Sequence, residues 1–447
     1  MKSVIYLTSD LIKASRRRFQ ILLSLLLVLL FFNDSGTASS FKSRIFRENP
    51  TFSQENNNSE PALTLEKCLE IALLYNPLIL SSHEQYLAAR ARINIARSFP
   101  QPEILLDYPL QPKFFSPGRS EEKFFWVYQT IEFPGRRYFR TRVASLEASE
   151  QAQDNESLKL DVAFQVKEAF FGLLLVEEQL KYARENLELS REFVEMVEVK
   201  HSAGEVSRAE LLRAQVEMAQ AEANLKRYEI ELEIMAARLN VLLGRDKNQA
   251  IKISGELKQP FLRLSLEEAR EAGLALRPEI RKTEYALKRI SFQKQQALLN
   301  YFPDFNLGFA RHQVEGVKYW NFSLGISVPL FFWQTKKGEL AEAEASLKAV
   351  EKELIYWQNM VSLEIEEAFR QVVCCEEQIK LFSENILKQA EEVYQLFLFS
   401  FKEGQIGGLD LIEARRTRIE SKTAYAEQLY QHAVSLAALS RAMGKIQ

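Results

Sequence analysis

Residues 166–197 read VKEAFFGLLLVEEQLKYARENLELSREFVEMV. Within this stretch, apolar or small side chains recur at alternating steps of three and four residues, which is the spacing of a heptad seam. The positions of the seam are Val166, Ala169, Leu173, Val176, Leu180, Ala183, Leu187, Ser190, Val194 and Val197. This spacing predicts a long helix that supercoils with a left-handed twist around a partner helix.

The seam returns 199 residues later, with a polar residue at the eighth position of both copies, Ser190 and Gln389. The second set is Ile365, Ala368, Val372, Cys375, Ile379, Phe382, Ile386, Gln389, Val393 and Leu396. Other features return at nearly the same offset, namely Asn76-Pro77 as Arg277-Pro278, Phe99-Pro100 as Phe302-Pro303, Ile131-Glu132-Phe133-Pro134 as Ile326-Ser327-Val328-Pro329, and Gly204 as Gly404. The chain is therefore an internal duplication, with repeats at 63–245 and 265–445 joined by a linker at 246–264.

The positions of the prolines show where long helices can run, because proline breaks helix interiors. The sequence has no proline between Pro134 and Pro260, and none after Pro329. Each of these two gaps is predicted to hold a helical hairpin, with helices at about 136–203 and 206–243 in the first repeat and at about 335–402 and 408–443 in the second. At 1.5 Å per residue, the first helix of each hairpin is roughly 100 Å long.

The sequence period changes from 3.5 to 2 in two short segments, which predicts β-hairpins at about 101–133 and 303–329. Apolar side chains alternate there with small or polar ones, so each strand has one apolar face. In the second hairpin the apolar positions are Phe305, Leu307, Phe309, Phe322, Leu324, Ile326 and Val328. Aromatic residues also crowd near the strand ends, as in the interfacial girdle of a membrane barrel; they are Phe124, Trp126, Tyr319 and Trp320.

The N-terminus has the pattern of a secretory signal. Arginines at 16–18 precede an apolar run that ends at Phe32, and small and polar residues follow. We predict a signal peptide at 1–39 and a flexible N-terminal arm at 40–62. The alternative is an uncleaved membrane anchor, although the apolar run is short for a spanning helix.

The apolar strand faces have two interpretations, since they could cover the core of a soluble protein or face lipid. The secretory signal, the small polar opposite face and helices too long and thin to form a globular core favour lipid. Four strands cannot close a barrel around a pore, whereas three chains supply twelve, an even number within the outer-membrane range. Because open sheet edges cannot lie in lipid, closure predicts a homotrimer with its apolar strand faces against outer-membrane lipid.

The composition argues against several classes of function. The 58 basic and 60 acidic residues are nearly balanced, so a nucleic-acid partner has no electrostatic support. The three cysteines argue against a disulfide framework, and Cys375 on the seam is interpreted as an apolar filler. The four histidines show no metal-ligand spacing, and no catalytic triad, phosphate loop or dinucleotide-binding turn occurs. We therefore expect no enzyme, no catalytic residue, no cofactor and no metal site.

The order of two short helices, hairpin, long helix and returning helix, present twice, resembles the TolC-like outer-membrane efflux factors. The marks that carry the resemblance are Asn76-Pro77, the Phe-Pro before each hairpin, and the paired Gly204 and Gly404 turns. The resemblance covers residues 63–445. The run Glu132-Phe133-Pro134-Gly135-Arg136-Arg137, with the Ser98-Phe99-Pro100-Gln101-Pro102-Glu103 run, further resembles the subgroup that works with heavy-metal (cobalt, zinc, cadmium) exporters.

The resemblance implies a mainly α fold with a small β part, which as a trimer forms a twelve-stranded outer-membrane β-barrel on a twelve-helix periplasmic α-barrel. It also implies a passive exit duct in the outer membrane, with a long periplasmic extension whose tip contacts a periplasmic adaptor protein. The adaptor would connect the duct to an inner-membrane pump, and the cargo would be metal ions or small toxic compounds. An exit duct for type I protein secretion and a secreted coiled-coil scaffold without a pore remain alternatives.

The resemblance also assigns residues at the helical tips. The adaptor-contact tips correspond to Ala203, Gly204, Glu403 and Gly404, and the pore constriction to Asp410 and Glu413 with Glu210 and Arg213 in the first repeat. Asp410 and Glu413 are three residues apart on one helix face, so threefold symmetry would form a ring of carboxylates that attracts cations. The alternative is a solvated first helical turn, where acidic residues are favoured anyway. Arg136 and Arg137 are interpreted as anchors of the periplasmic rim of the barrel.

Overall fold

The computed structural model describes residues 62–109, 122–314, 316–328 and 332–446. The predicted signal peptide and all but the last residue of the predicted arm lie outside the described residues. The middle of the first predicted hairpin and Pro329, at the end of the second, lie outside them as well.

Both repeats have the same order of elements: two short helices, two strands, a long helix and a returning helix. In chain order, the elements are α1 (Leu65–Tyr75), α2 (Pro77–Arg97), β1 (Glu103–Asp107), β2 (Glu122–Ile131), α3 (Arg136–Ser202), α4 (Arg208–Leu242), α5 (Leu266–Leu276), α6 (Pro278–Leu299), β3 (Asp304–Val314), β4 (Val317–Ser327), α7 (Phe332–Leu381), a π-helical turn (Phe382–Ile386), α8 (Leu387–Lys402) and α9 (Gly408–Ala442). The predicted fold class, mainly α with duplicated helical hairpins and two β-hairpins, is confirmed.

Each repeat ties the start of its second short helix to the end of its returning helix. The Asn76 side chain accepts hydrogen bonds from backbone amides in the first turn of α2 and so caps that helix. Its Nδ2 donates to the carbonyl of Leu242, at the end of α4, over 2.8 Å. Arg277 occupies the same place before α6, and its Nη1 donates to the Arg441 carbonyl of α9 over 3.0 Å. The two repeats therefore close in the same way with different side chains.

The predicted seam of α3 is confirmed, because all ten of its positions are buried. Val166 and Val197, at its two ends, are both 0% exposed. α3 packs against α2 and α4 of its own repeat and against α6 and α9 of the other. The seam is therefore covered by helices from both repeats, which makes the described chain one packed unit rather than two.

The predicted seam of the second repeat is only partly confirmed. Val372, Cys375 and Ile379 are at most 3% exposed, so Cys375 is indeed an apolar filler. Beyond Ile379 the prediction was wrong, since Val393 is 41% exposed and Leu396 is 60% exposed.

The π-helical turn explains this change. A π-turn closes i→i+5 hydrogen bonds and therefore holds one residue more than an α-helical turn. After the turn the buried positions include Ala390 and Tyr394, each one residue later than the predicted Gln389 and Val393. The offset between the repeats thus grows from 199 to 200 residues within this turn.

The four strands form one antiparallel sheet in the order β1-β2-β3-β4. The pairing of β2 with β3 joins the hairpin of the first repeat to that of the second. One row across the sheet runs from Ile104 through Val127 and Phe309 to Phe322. The outer strands, β1 and β4, each leave one edge unpaired within the described part of the chain.

Candidate functional site: the sheet face and the helical tips

One face of the sheet is apolar and exposed. Residues directly opposite each other in antiparallel strands point to the same face, so the register places the predicted lipid-facing residues of β3 and β4 together. The exposed fractions are 53% for Phe309, 62% for Phe322, 63% for Leu324, 57% for Ile326 and 56% for Val328, which follows β4, while Phe305 and Leu307 are half-buried. A continuous apolar surface of this kind marks a site of contact with lipid or with another protein.

The opposite face carries small and polar residues of β3 and β4, together with a row of aromatic rings from β2. The ring centroids of Phe124 and Trp126 are 6.2 Å apart, and those of Trp126 and Tyr128 are 5.2 Å apart, with the rings nearly parallel. Phe124 also stacks on His312 at 3.9 Å. The interpretation of Phe124, Trp126 and Tyr319 as part of a girdle was wrong, because even-numbered residues of β2, and Tyr319 opposite His312, lie on the face opposite to Phe309. Trp320, opposite Arg311, lies on the Phe309 face.

The end of the sheet next to the helices is fixed by arginines at the start of α3. Arg136 Nη1 lies 2.5 Å from Asp304 Oδ2, and the other oxygen of Asp304 accepts the Phe133 amide over 2.8 Å. The guanidinium of Arg137 lies 3.9 Å from the centre of the Phe99 ring. Both arginines therefore hold the junction between helix and sheet, in keeping with their interpretation as anchors.

The tip turns are exposed and built alike in both repeats. Gly204 has a φ of +81° and Gly404 a φ of +72°, a left-handed backbone that residues with a side chain rarely adopt. The amide after each glycine closes the turn with a 2.9 Å hydrogen bond to a carbonyl of the preceding helix. Ala203 and Glu403 are exposed as well. All four residues predicted to contact an adaptor are thus accessible in the single chain.

Glu210 has a structural partner at the start of α9. In the first repeat, the hydroxyl of Ser207 caps α4 by accepting the Glu210 amide over 3.3 Å. The corresponding residue before α9 is Gly407, which has no side chain to act as a cap. The Glu210 carboxylate caps α9 instead, since its Oε1 accepts the Gly408 amide over 2.6 Å.

The other three predicted constriction residues, Arg213, Asp410 and Glu413, are exposed. Asp410 and Glu413 lie in the first turns of α9 and share one side of that helix. Of the four predicted constriction residues, three therefore meet at one place: Glu210 contacts the N-terminus of α9, and α9 carries Asp410 and Glu413. The position of the two acids near a helix N-terminus is also one that the helix dipole favours.

A cavity of about 710 Å³ lies behind the tips, between α3, α8 and α9. Ion pairs on one side of it connect the three helices. Arg418 of α9 pairs with Glu391 of α8 and lies 2.8 Å from Glu185 of α3. Lys422 Nζ lies 3.1 Å from the same Glu185 carboxylate. These four side chains form the tip cluster, which fixes the spacing of the helices above the turns.

The charges of the tip cluster support one another. Burial raises the pKa of Glu185, but the hydrogen bond from Lys422 and the charge of Arg418 outweigh burial and hold that pKa below its ordinary value. Burial acts in the same way on Glu391, where the hydrogen bond from Arg418 prevails and lowers the pKa. Both carboxylates therefore stay ionised at neutral pH and remain available to the two cations.

Sequence reasoning missed the tip cluster. The available signal was a basic stripe on α9, where Arg415, Arg418 and Lys422 follow the apolar Leu411 at steps of four, three and four residues. In α4 the residues at the same places are Gln215, Met218 and Glu222. Basic residues at buried-face spacing occur in the second repeat and not in the first. They therefore indicated that neighbouring helices supply carboxylates to pair with them.

Within the described ranges, no group of three or more His, Cys, Asp or Glu side chains is placed to hold a metal ion. In the same part of the chain, no helix is both long and apolar enough to cross a membrane. The features that remain for function are the apolar sheet face, the exposed tips and the cavity behind them.

Duplicated helical hairpins on a small sheet with an exposed apolar face are the features that the sequence predicts for the class of outer-membrane channel proteins. The sequence profile described as "outer membrane efflux protein" matches residues 68–245 and 270–445 of this chain. The chain belongs to the outer membrane efflux protein family. Its location is therefore the outer membrane, and the predicted resemblance to TolC-like efflux factors is confirmed.

Individual relatives agree with this assignment. The cobalt-zinc-cadmium resistance protein CzcC of Cupriavidus metallidurans is 23% identical over 393 residues, which cover 86% of this chain and 90% of CzcC. A membrane protein from Pseudomonas aeruginosa has the same fold, with a TM-score of 0.75 and 19% identity over 85% of this chain and 93% of that one. The channel protein CusC also gives a TM-score of 0.75, with 16% identity over 88% of this chain and 96% of that one. The predicted likeness to the heavy-metal subgroup is confirmed through CzcC.

Proposed function

We propose that this chain assembles as a homotrimeric exit duct of a tripartite efflux system. The observation that carries the proposal is the sheet, which combines an exposed apolar face with edges at β1 and β4 that no other described strand pairs with. Unpaired backbone groups cannot lie in lipid, so these edges require partner strands from other copies. Three copies supply twelve strands for a barrel and, with four long helical segments each, a tube below it.

The duct is passive in this proposal, and the tips connect it to its partners. The exposed turns at Gly204 and Gly404 would contact a periplasmic adaptor, and the adaptor would connect the duct to an inner-membrane pump that supplies the energy. Asp410 and Glu413 would line the narrowest part of the pore near the tips. Arg213 would lie close to that constriction, whereas Glu210 contributes by fixing the start of α9.

For the cargo we propose metal ions. The support is the similarity to CzcC, which extends over most of both proteins and whose name records cobalt, zinc and cadmium resistance. A conduit needs no metal-binding group, because its wall only has to be wet and weakly binding. Cells that lack this chain should accumulate cobalt, zinc or cadmium, and unchanged metal levels together with a lost secreted protein would favour the secretion alternative.

Planar-bilayer recording of the purified protein tests the pore itself. The duct should run as a trimer and give discrete, cation-preferring conductance. The change Asp410→Asn with Glu413→Gln should then reduce the cation preference, because the ring of carboxylates is lost. Trimers whose reversal potential under a salt gradient is the same with and without these changes would rule out the constriction. A membrane-free monomer without conductance would instead favour the coiled-coil scaffold.

A further inference from the structure

The two ends of the sheet differ in whether their basic side chains form ion pairs. At the end next to the helices, Arg136 is paired with Asp304 and Arg140 with Glu132. At the far end, three cations lie on the exposed apolar face: Lys123 of β2, Arg311 of β3 and Lys318 of β4. Within the part of the chain that the structure describes, none of these three cations forms a salt bridge. We call these three residues the basic rim.

The strand register brings the basic rim together. Lys123 and Lys318 both lie opposite Gln313, on either side of β3, and Arg311 lies two residues along the same strand. Neighbouring strands are about 4.8 Å apart, and two residues along a strand span about 7 Å. The three backbone positions therefore fall within about 10 Å of each other, a distance that long Lys and Arg side chains can close around one anion. The two rows that hold them contain no carboxylate.

The basic rim lies where the apolar face ends. Eight residues separate Val328 from Trp320, so the apolar face runs about 26 Å along β4. In a strand tilted by about 40°, this corresponds to about 20 Å of membrane thickness, close to the apolar band of about 25 Å seen in membrane barrels. Trp320 is 77% exposed at this upper boundary, with the Arg311 guanidinium 5.5 Å from its ring. A tryptophan at this depth is typical of the membrane–water interface.

From this arrangement we infer that the basic rim binds the phosphate group of an anionic membrane lipid, whose acyl chains lie along the row that holds Phe309 and Phe322 and the apolar rows below it. The inference rests on the proposed function, since the sheet must face lipid. Charge complementarity supports it, because a guanidinium and two ammonium groups match the oxygens of a phosphate, and among the described residues no carboxylate lies on this face of the sheet. The lipid would fix the far end of the sheet as the ion pairs of Arg136 and Arg140 fix the near end.

The test measures lipid binding by the full, detergent-purified protein with two lipids that share their acyl chains. Phosphatidic acid carries the phosphate, and diacylglycerol lacks it. Because each basic residue near an anionic surface contributes about fivefold in affinity, the variant Lys123→Gln, Arg311→Gln, Lys318→Gln should bind phosphatidic acid on the order of 100-fold more weakly than the parent. Binding of diacylglycerol should stay the same in both proteins.

A matched control removes the same kinds of charge from exposed helix positions, with Lys226→Gln, Arg227→Gln and Lys352→Gln. Arg227 lies over an aromatic ring, as Arg311 does. This control should bind phosphatidic acid as the parent does. If the rim variant failed to assemble, the three single rim variants, each expected to lose about fivefold, would replace it.

Two results would overturn the inference: a rim variant that binds phosphatidic acid within threefold of the parent, or displacement of the lipid by inorganic phosphate alone. The second result would indicate a site for the free anion instead of a lipid. Trimer formation and conductance are measured on the same samples. A conducting trimer that does not prefer phosphatidic acid would contradict lipid binding at the basic rim and leave the proposed function intact. The absence of any trimer would contradict the proposed function itself.

Discussion

The long helices of the two repeats run the same course, yet only the second contains a π-turn. α3 is a single α-helix of 67 residues, whereas its counterpart consists of 50 residues in α7, five in the π-turn and 16 in α8. Up to Ile379 the buried positions match those of α3 at an offset of 199, and from Ala390 they match at 200. The second repeat thus carries one extra residue, and the wider turn brings the following side chains back onto the buried face. A long packed helix can accept an insertion when a local change of helix type restores its phase.

Removal of one residue from each long helix should give the largest difference between them. Deletion of Arg184 from α3 rotates all following residues by about 100°, so Leu187 and Val197 leave their buried places along with the rest of the seam. The loss of several buried apolar side chains costs on the order of 5 kcal/mol, and we expect no assembled protein. Deletion of Ser383, 199 residues later in the π-turn, should leave a continuous α-helix with Ala390 still buried, and assembly should survive.

The yield of trimer and its dissociation temperature in detergent measure both deletions. The α3 deletion serves as the control for the π-turn deletion, because the two remove equivalent positions. Equal damage by both would show that the π-turn is not an accommodated insertion. Tolerance of both would mean that the seam contributes less to packing than its burial implies.

The sheet is the region where both repeats should respond alike. Val127 of the first repeat and Phe322 of the second lie in one row on either side of Phe309. An arginine at either position would place a charge inside the apolar band, two residues from the Trp320 boundary, which costs about 2 kcal/mol. We expect Val127→Arg and Phe322→Arg to reduce the membrane-inserted trimer to a similar extent. Ser323→Arg, on the opposite face, is the control and should assemble.

Membrane fractionation and the trimer band on unheated gels report the result. Normal membrane yields for both lipid-face variants would contradict the lipid assignment. Loss in only one of them would show that the two repeats are not equally exposed to lipid.

The two returning helices differ in the residue that caps their N-terminus, which is Ser207 for α4 and Glu210 for α9. Removal of the α9 cap should have a smaller effect than the sheet substitutions. Glu210→Ala should destabilise α9 by about 1 kcal/mol, the usual effect of losing an N-cap. Adding Gly407→Ser should restore most of that stability, because it gives α9 the cap that Ser207 gives α4. The dissociation temperature of the trimer, with Arg213→Ala as an exposed control, measures the change. If the serine fails to rescue the Glu210 variant, the carboxylate acts at the tip by some means other than capping.

These comparisons also show how far the sequence could lead. The seam of α3 was predictable, because the spacing of apolar residues along a helix determines which of its faces is buried. The paired tips and the two hairpins were also predictable, because their sequence features occur in both repeats. The position of the π-turn could not be predicted from the sequence. The offset between the repeats does change, from 199 at Ile379 to 200 at Gly404, and this change indicated a one-residue insertion somewhere between these two residues.

The site was less predictable than the fold, because its contacts join residues far apart in the chain. Glu210 could be matched to a constriction by its position, but its bond to the Gly408 amide depends on how α4 and α9 pack. The aromatic row of β2 was assigned to the wrong role because the alternation of a single strand does not say which neighbours share its faces. Only the register with β3 settles that Trp126 lies on the polar side.

The tip cluster should give the smallest effect, and pH should reveal it. Glu185 and Glu391 have pKa values below the ordinary value for glutamate, so their pairing stabilises the folded protein above about pH 4.5 and is lost as the pH falls through the lowered values. Since both carboxylates are partly exposed, the contribution is about 1 kcal/mol or less. Arg418→Met copies Met218 of the first repeat and should flatten the acid-induced fall of the trimer dissociation temperature between pH 6 and pH 3. Arg416→Met is the control, because Arg416 pairs along α9 itself, with Glu420, and joins no second helix within the described residues. An acid response of Arg418→Met as steep as that of the parent would show that the cluster does not hold the three helices together.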